Sequence, residues 1–306
     1  MKTILNFEEH LQHKYRIKTI IGILNEVKLY ENWSQKENIQ IEKATYNEIL
    51  SYINYCYSQG NKKQTIRQKL NSLKHYYNHL QEQQSKEGKE SSNYIINPVR
   101  EIKLRNIERK NPQNNIKYED LEKLYNEYTT TTMVQKRNKC ILGLLIYQGL
   151  GTGEINKLEV KDVKLEEGKI YAPSVGRSNS RTLKLEAHQI LQMQNYILLI
   201  RPMLQAQAKD ASEYLFIAAN KSNRKKERGE TFTGLHKIFH GLKKQAPEIK
   251  EAKDIRSAVI SHWLKQYNLR QVQYMIGHKY VSSTEKYSRN KLESLQEQIE
   301  KLHPMK

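Results

Sequence analysis

This chain has only one convincing β region, and that restricts its fold more than any other feature. Lys169-Ile170-Tyr171-Ala172 reads as a strand, Pro173 to Ser180 as a polar turn, and Arg181-Thr182-Leu183-Lys184-Leu185 as a returning strand. Elsewhere apolar residues recur at helical spacing, as in Leu24, Val27 and Tyr30, in Ile49, Ile53 and Cys56, and in Ile66, Leu70, Leu73, Tyr77 and Leu80. Thr45-Tyr46-Asn47-Glu48 matches a capping box, in which Thr45 caps amides and Glu48 reaches back, so it marks a helix start. Further helical patterns cover 117–129, 135–147, 154–158, 187–200, 231–245, 255–266 and 270–275. The spacing predicts a mainly α chain with a small β-sheet in its C-terminal part.

A length of 306 residues favours two domains and is ample for a core without disulfide or metal staples. From Gln81 to Ser92 the composition turns to Gln, Glu, Lys, Ser and Gly without periodicity, which reads as a loop. Asn97-Pro98 then opens a basic run through Arg100, Lys103, Arg105, Arg109 and Lys110 that closes at Asn111-Pro112. Prolines at both ends suit an interdomain linker, and its cations suit a phosphate backbone. The expected organisation is a helical domain over 1–97, a linker over 98–113, a second domain over 114–290 and a C-terminal helix over 291–306. In that helix Leu292, Leu295, Ile299 and Leu302 form an apolar stripe that needs a partner surface.

Charge narrows the partner. Fifty-two Lys+Arg against 33 Asp+Glu give a net charge of +19. Such an excess points to a polyanion, nucleic acid being the commonest in a cell; a membrane surface or a plain soluble basic protein stays open on charge alone. On the helix around 65–80, Lys63, Arg67, Lys69, Lys74 and His75 lie away from the apolar stripe, a face that is either solvated or turned to DNA. A second cluster, Lys221, Arg224, Lys225, Lys226 and Arg228, reads as a solvated loop. Cys56 and Cys140 lack any CxxC or Cys/His spacing and read as reduced thiols of an intracellular protein, with no metal expected. The N-terminus lacks a secretory apolar core, and the longest apolar run, Cys140 to Tyr147, is far short of a bilayer span, so a cytoplasmic, nucleoid-associated protein is expected.

Within about 35 residues near the C-terminus stand Lys253-x-x-Arg256, Gly277-His278 and Tyr287. Splitting a phosphodiester without metal or cofactor needs a nucleophile, positive charge on the non-bridging oxygens and a proton for the leaving 5′ oxygen. A tyrosine phenoxide can attack phosphorus, a guanidinium forks onto phosphate, and a histidine donates to a phosphoryl oxygen or moves a proton near neutral pH. Taken singly, each residue has a blander reading: His278 as a turn histidine, Gly277 as a helix cap, Arg256 paired with Asp254, Trp263 as core.

As an ordered array, these residues resemble the tyrosine recombinases of the phage integrase family. Asp254-Ile255-Arg256-Ser257-Ala258 and Ser261-His262-Trp263-Leu264 resemble the family helix that carries its second arginine. Leu269 to His278 resembles the next helix and its Gly-His corner, and Val281 to Tyr287 the segment presenting the nucleophile, nine residues (287 minus 278) beyond the histidine. The resemblance implies a SAM-like helical core-binding domain and a catalytic domain that together clamp duplex DNA. It also implies a 3′-phosphotyrosyl intermediate at Tyr287, with Arg256, His278 and Lys253 at the phosphate and no cofactor. Inverted half-sites, a dimer on each site, a tetramer in synapsis and an accessory DNA-bending protein are further implications. Arg67, Lys69, Lys74, Arg100, Lys103, Arg105 and Arg181 are the expected DNA contacts.

Three positions depart from the family. The turn Gln148-Gly149-Leu150-Gly151-Thr152-Gly153-Glu154 places Gly151 where the family has its first catalytic arginine. Losing one such donor costs on the order of 10²–10⁵ in rate. The hairpin turn Val175-Gly176-Arg177-Ser178-Asn179-Ser180 holds no lysine where the family has one, and Arg177 stands nearest. Lys253 occupies a position where the family usually has histidine. Two other functions therefore stay in view: a catalytically impaired accessory DNA-binding protein, favoured by Gly151, and a type IB topoisomerase-like enzyme.

Overall fold

The computed structural model describes residues 2–86, 96–105, 116–208, 212–218, 233–242 and 245–288. The basic cluster at 221–228, the end of the linker and the apolar stripe at 292–302 lie outside them. The chain divides into two compact units, Met1–Arg109 and Lys110–Lys306.

The first unit is helical. α1 (Lys2–Gln12), α2 (Ile17–Lys36), α3 (Tyr46–Ser58) and α4 (Lys63–Lys86) bury one apolar face each around Phe7, Val27, Tyr30, Ile49, Leu73 and Tyr77. The expected capping box starts α3, with the Thr45 N–H donating to Glu48 at 2.5 Å. α4 continues to Lys86, through a stretch expected as loop. Its Gln, Glu and Lys residues are good helix formers, and polarity there reflects a largely solvent-facing helix end. Beyond it, buried Asn97 donates to Asn78 Oδ1 at 2.7 Å and accepts from the Val99 N–H at 2.9 Å. Val99 is buried, and Ile102 and Leu104 pack on the same core. The opening of the basic run thus packs on this unit instead of running free.

The second unit is built on α6 (Met133–Tyr147), whose residues Ile141 to Ile146 are buried from solvent. A capping box not foreseen from sequence starts it, Thr132 and Gln135 exchanging hydrogen bonds at 2.9 and 3.2 Å. α5 (Tyr118–Glu127) and α11 (Ala252–Gln266) pack against it, and α7 (Thr152–Lys157) follows a glycine-rich turn. The sheet has three antiparallel strands in the order β1 (Val163–Lys164), β2 (Lys169–Ala172) and β3 (Arg181–Lys184). β2 and β3 fall where alternation placed them, with Ile170, Ala172, Arg181 and Leu183 buried; the two-residue β1 is too short to show a period. α8 (Ala187–Asn195) runs through a π turn at Tyr196–Ile200 into α9 (Arg201–Ala208). α10 (Thr233–Leu242), α12 (Leu269–Ile276) and α13 (281–288) complete the described residues. The architecture is the mainly α chain with a small sheet that the spacing predicted.

Candidate active site

Three elements distant in sequence meet at one buried carboxylate. Glu154, in the first turn of α7, is 3% exposed. Its Oε1 accepts from Arg181 Nη1 at 2.6 Å, and its Oε2 accepts from Arg256 Nη1 at 3.1 Å and from the Gly151 N–H at 2.7 Å. Burial alone would raise the Glu154 pKa. The Arg181 hydrogen bond and the two guanidinium charges outweigh it and hold the group below the usual carboxylate range. Arg256 also donates to Gly149 O at 2.6 Å and Ile276 O at 2.7 Å, so it ties α11 to the glycine turn and to the end of α12.

That end is the Gly277-His278 corner. Gly277 caps α12 at φ +75°, and a Cβ there would collide with the Arg181 guanidinium and lie 2.9 Å from Asn179 O. Both backbone sign and space therefore demand glycine. The β2–β3 turn docks on the corner through main-chain bonds, Asn179 N–H to Gly277 O at 2.8 Å and Lys279 N–H to Arg177 O at 3.3 Å. Arg181 Nε donates to Met275 O at 2.6 Å and locks the strand to the same helix end.

His278 sits in this frame with Nδ1 hydrogen-bonded to Oγ1 of the buried Thr284 at 2.9 Å. Its ring lies parallel to Tyr287, centroids 6.4 Å apart. Burial pushes the imidazole pKa down to about 4, and the Arg256 and Arg181 charges push the same way. At neutral pH it is therefore an uncharged imidazole, a hydrogen-bonding group and not a cation. Tyr287, on α13, is partly buried against the core and near enough to Arg256 for a phenoxide to favour the guanidinium charge.

The structure thus brings Arg256, His278 and Tyr287 together and seats the Arg177 backbone beside them, with the Arg177 side chain exposed at the turn. Lys253 is exposed on the first turn of α11, three residues and so one helical face from Arg256. At Gly151, a Cβ would lie 3.5 Å from Glu154 Oε2 and 3.7 Å from Arg256 Nη1, so a side chain there has room and grows beside Arg256. Arg256 pairs with Glu154, while Asp254 accepts the Lys250 and Glu251 N–H groups at the start of α11. Trp263 is core.

Two expected DNA contacts are corrected. Lys69 is buried and ion-paired with Glu26 at 2.5 Å; two residues on from Arg67, it sits nearly half a turn around α4 and faces inward. Arg181, with its side chain 1% exposed, is an internal pivot engaged by Glu154 and main-chain carbonyls. Arg67, Lys74, Arg100, Lys103 and Arg105 are exposed, Lys103 and Arg105 alternating with inward Ile102 and Leu104. Sequence reading missed Glu154. Its signal was an acidic residue three after Gly151, the position from which a side chain reaches back to a helix start.

The phage integrase family profile matches residues 114–293, and the profile of the phage integrase N-terminal SAM-like domain matches residues 4–84. The chain belongs to the phage integrase family, as a tyrosine-type site-specific recombinase. It is 26% identical to tyrosine recombinase XerC of Bacillus pumilus, over 97% of this chain and 95% of that protein. Identity to XerC of Bacillus subtilis is 24%, over 97% and 95%. The fold is shared with the XerH site-specific recombinase in its post-cleavage complex with palindromic difH substrate, at a TM-score of 0.67 and 19% identity, covering 91% of this chain and 79% of that one. It is also shared with the Tn1549 transposon integrase in complex with circular intermediate DNA, at 0.65 and 16%, covering 96% and 99%. Among the described residues no helix is long and apolar enough to cross a membrane, and no cluster of His, Cys, Asp or Glu is set for a metal ion.

Proposed function

We propose that this chain cuts and rejoins duplex DNA through Tyr287, at sites built of inverted half-sites. The observation that carries the reading is the meeting of Arg256, His278 and Tyr287 at the docked hairpin. Arg256 binds a non-bridging oxygen of the scissile phosphate, and neutral His278 hydrogen-bonds a second oxygen. The Tyr287 oxygen attacks phosphorus, the bond from phosphorus to the 5′ oxygen breaks, and that oxygen leaves as a hydroxyl. Lys253 is the group suited to give it the proton, because a guanidinium is a poor general acid. The phenol proton passes to water, and the freed hydroxyl of a partner strand reverses the step. Arg177 supplies part of the charge that Gly151 lacks. Arg67, Lys74, Arg100, Lys103 and Arg105 hold the flanking backbone. Two protomers occupy a site, four form the synapse, residues 291–306 make the protomer contact, and a DNA-bending protein assists. The domain limits proposed are 1–97, 98–113, 114–290 and 291–306.

The test is covalent trapping on a nicked duplex selected from a randomised pool by binding to the full-length chain. An adduct that disappears in Tyr287→Phe supports the reading. An adduct unchanged in Arg177→Ala removes Arg177 from it. The open space at Gly151 favours a second reading, an accessory DNA-binding protein that no longer cleaves. No adduct from the parent chain, but one from Gly151→Arg, establishes that alternative.

A further inference from the structure

We propose that the outer face of the three-stranded sheet is a phosphate track for the duplex flanking the cut. The strand register pairs Lys164 with Lys169 and Lys169 with Lys184, so three lysines stand side by side on one face. The opposite face carries Ile170 and Leu183 into the core, leaving the lysine row to solvent. Like charges directly opposite across strands oppose pairing. Among the described residues Glu167 ion-pairs with two of them, 3.6 Å from Lys164 and 3.0 Å from Lys169, Asp162 lines the same depression, and Lys184 makes no ion pair. The row therefore keeps uncompensated positive charge in one line. Strands lie about 4.8 Å apart, so the row spans about 10 Å, a length that holds about three phosphates of one strand at one per about 3.4 Å of duplex axis.

Position along the ladder links the row to the site. Ala172 and Arg181 pair at the other end, three residues or about 10 Å away, where the chain enters the turn docked on Gly277-His278. Between them lie Tyr171 and Thr182, both exposed and on the lysine face. A backbone leaving the phosphate at Arg256 thus finds cations further along the sheet. The shared chemistry is that of a polyanion; a duplex is the favoured occupant because the row's span matches about three phosphates of one strand crossing the sheet, about 10 Å from the docked turn. The inference rests on the recombinase reading only for the position of that cut.

The test compares Lys164→Gln/Lys169→Gln/Lys184→Gln with the parent full chain, checking that both unfold at the same denaturant midpoint. The probe is the pool-selected duplex, in full length and trimmed close to the strongest contact. On the long duplex, the slope of log affinity against log salt should become shallower by about 2.7, from about 0.9 for each of three phosphates. On the trimmed duplex the two proteins should match, and a Lys→Arg triple should keep the parent slope on both. An unchanged slope on the long duplex overturns the proposal and leaves an acidic protein segment as the class of partner. An equal loss on both duplexes also overturns it. A parent that binds with the expected slopes but forms no adduct would refute the recombinase reading and leave the track standing.

Discussion

Glu154 holds two guanidinium groups with one carboxylate, so the buried centre carries a net positive charge before any phosphate arrives. In the proposed function that excess faces the dianionic transition state, with glycine and not a cation at residue 151. The Gly151 backbone is extended, with φ −86°, so arginine is accommodated without strain. Gly151→Arg should raise adduct formation by about 10²–10³ on the same nicked duplex, the range for restoring one aligned donor. His278 makes a prediction in pH. Its folded pKa, about 4, lies below its ordinary 6.5, so the unfolded chain takes up the proton first as pH falls. The stability it contributes is complete above about pH 6.5 and is lost as pH drops towards about 4. Urea midpoints should fall between pH 7 and pH 4.5 in the parent and fall less in His278→Gln. Glu154, held below its usual range, adds a further loss only below about pH 4.5.

Between elements, Arg181 is the joint. It fastens β3 to α7 through Glu154 and to the end of α12 through Met275 O, and the turn beyond it places the corner. Removing one member of a buried ion pair costs about 3–5 kcal/mol. Arg181→Ala should fall near the lower end, because Arg256 still faces Glu154; urea unfolding measures it. Gly277→Ala should cost about 2 kcal/mol or more, from left-handed backbone plus the collision with Arg181, and should free the hairpin from the corner. Loss of protection at the Asn179 and Lys279 amides in hydrogen exchange would report that release, and unchanged protection would count against it. Helix and strand types were legible because their periods are local: Thr45 and Glu48 announce α3, and alternation announces β2 and β3. The helical end of α4 was not, since a polar solvated helix has no apolar stripe to read.

For the whole chain, two units and a charge of +19 make binding to DNA sensitive to salt before any particular contact is considered. In the proposed function the apolar stripe at 292–302, outside the described residues, serves assembly. Truncation after Asn290 should weaken assembly on a full site more than binding to one half-site in gel-shift titrations; equal loss would sink that assignment. The sequence by itself determined the mainly α class, the place of the sheet, the spacing of Lys253, Arg256, His278 and Tyr287, and the glycine at 151, because each is a matter of residue type and spacing along the chain. Only the tertiary structure decided that Arg181 and Lys69 turn inward, that Glu154 anchors Arg256, and that Lys164, Lys169 and Lys184 share one row. Those facts depend on which face an element buries and which strand lies beside it, and long-range packing sets both.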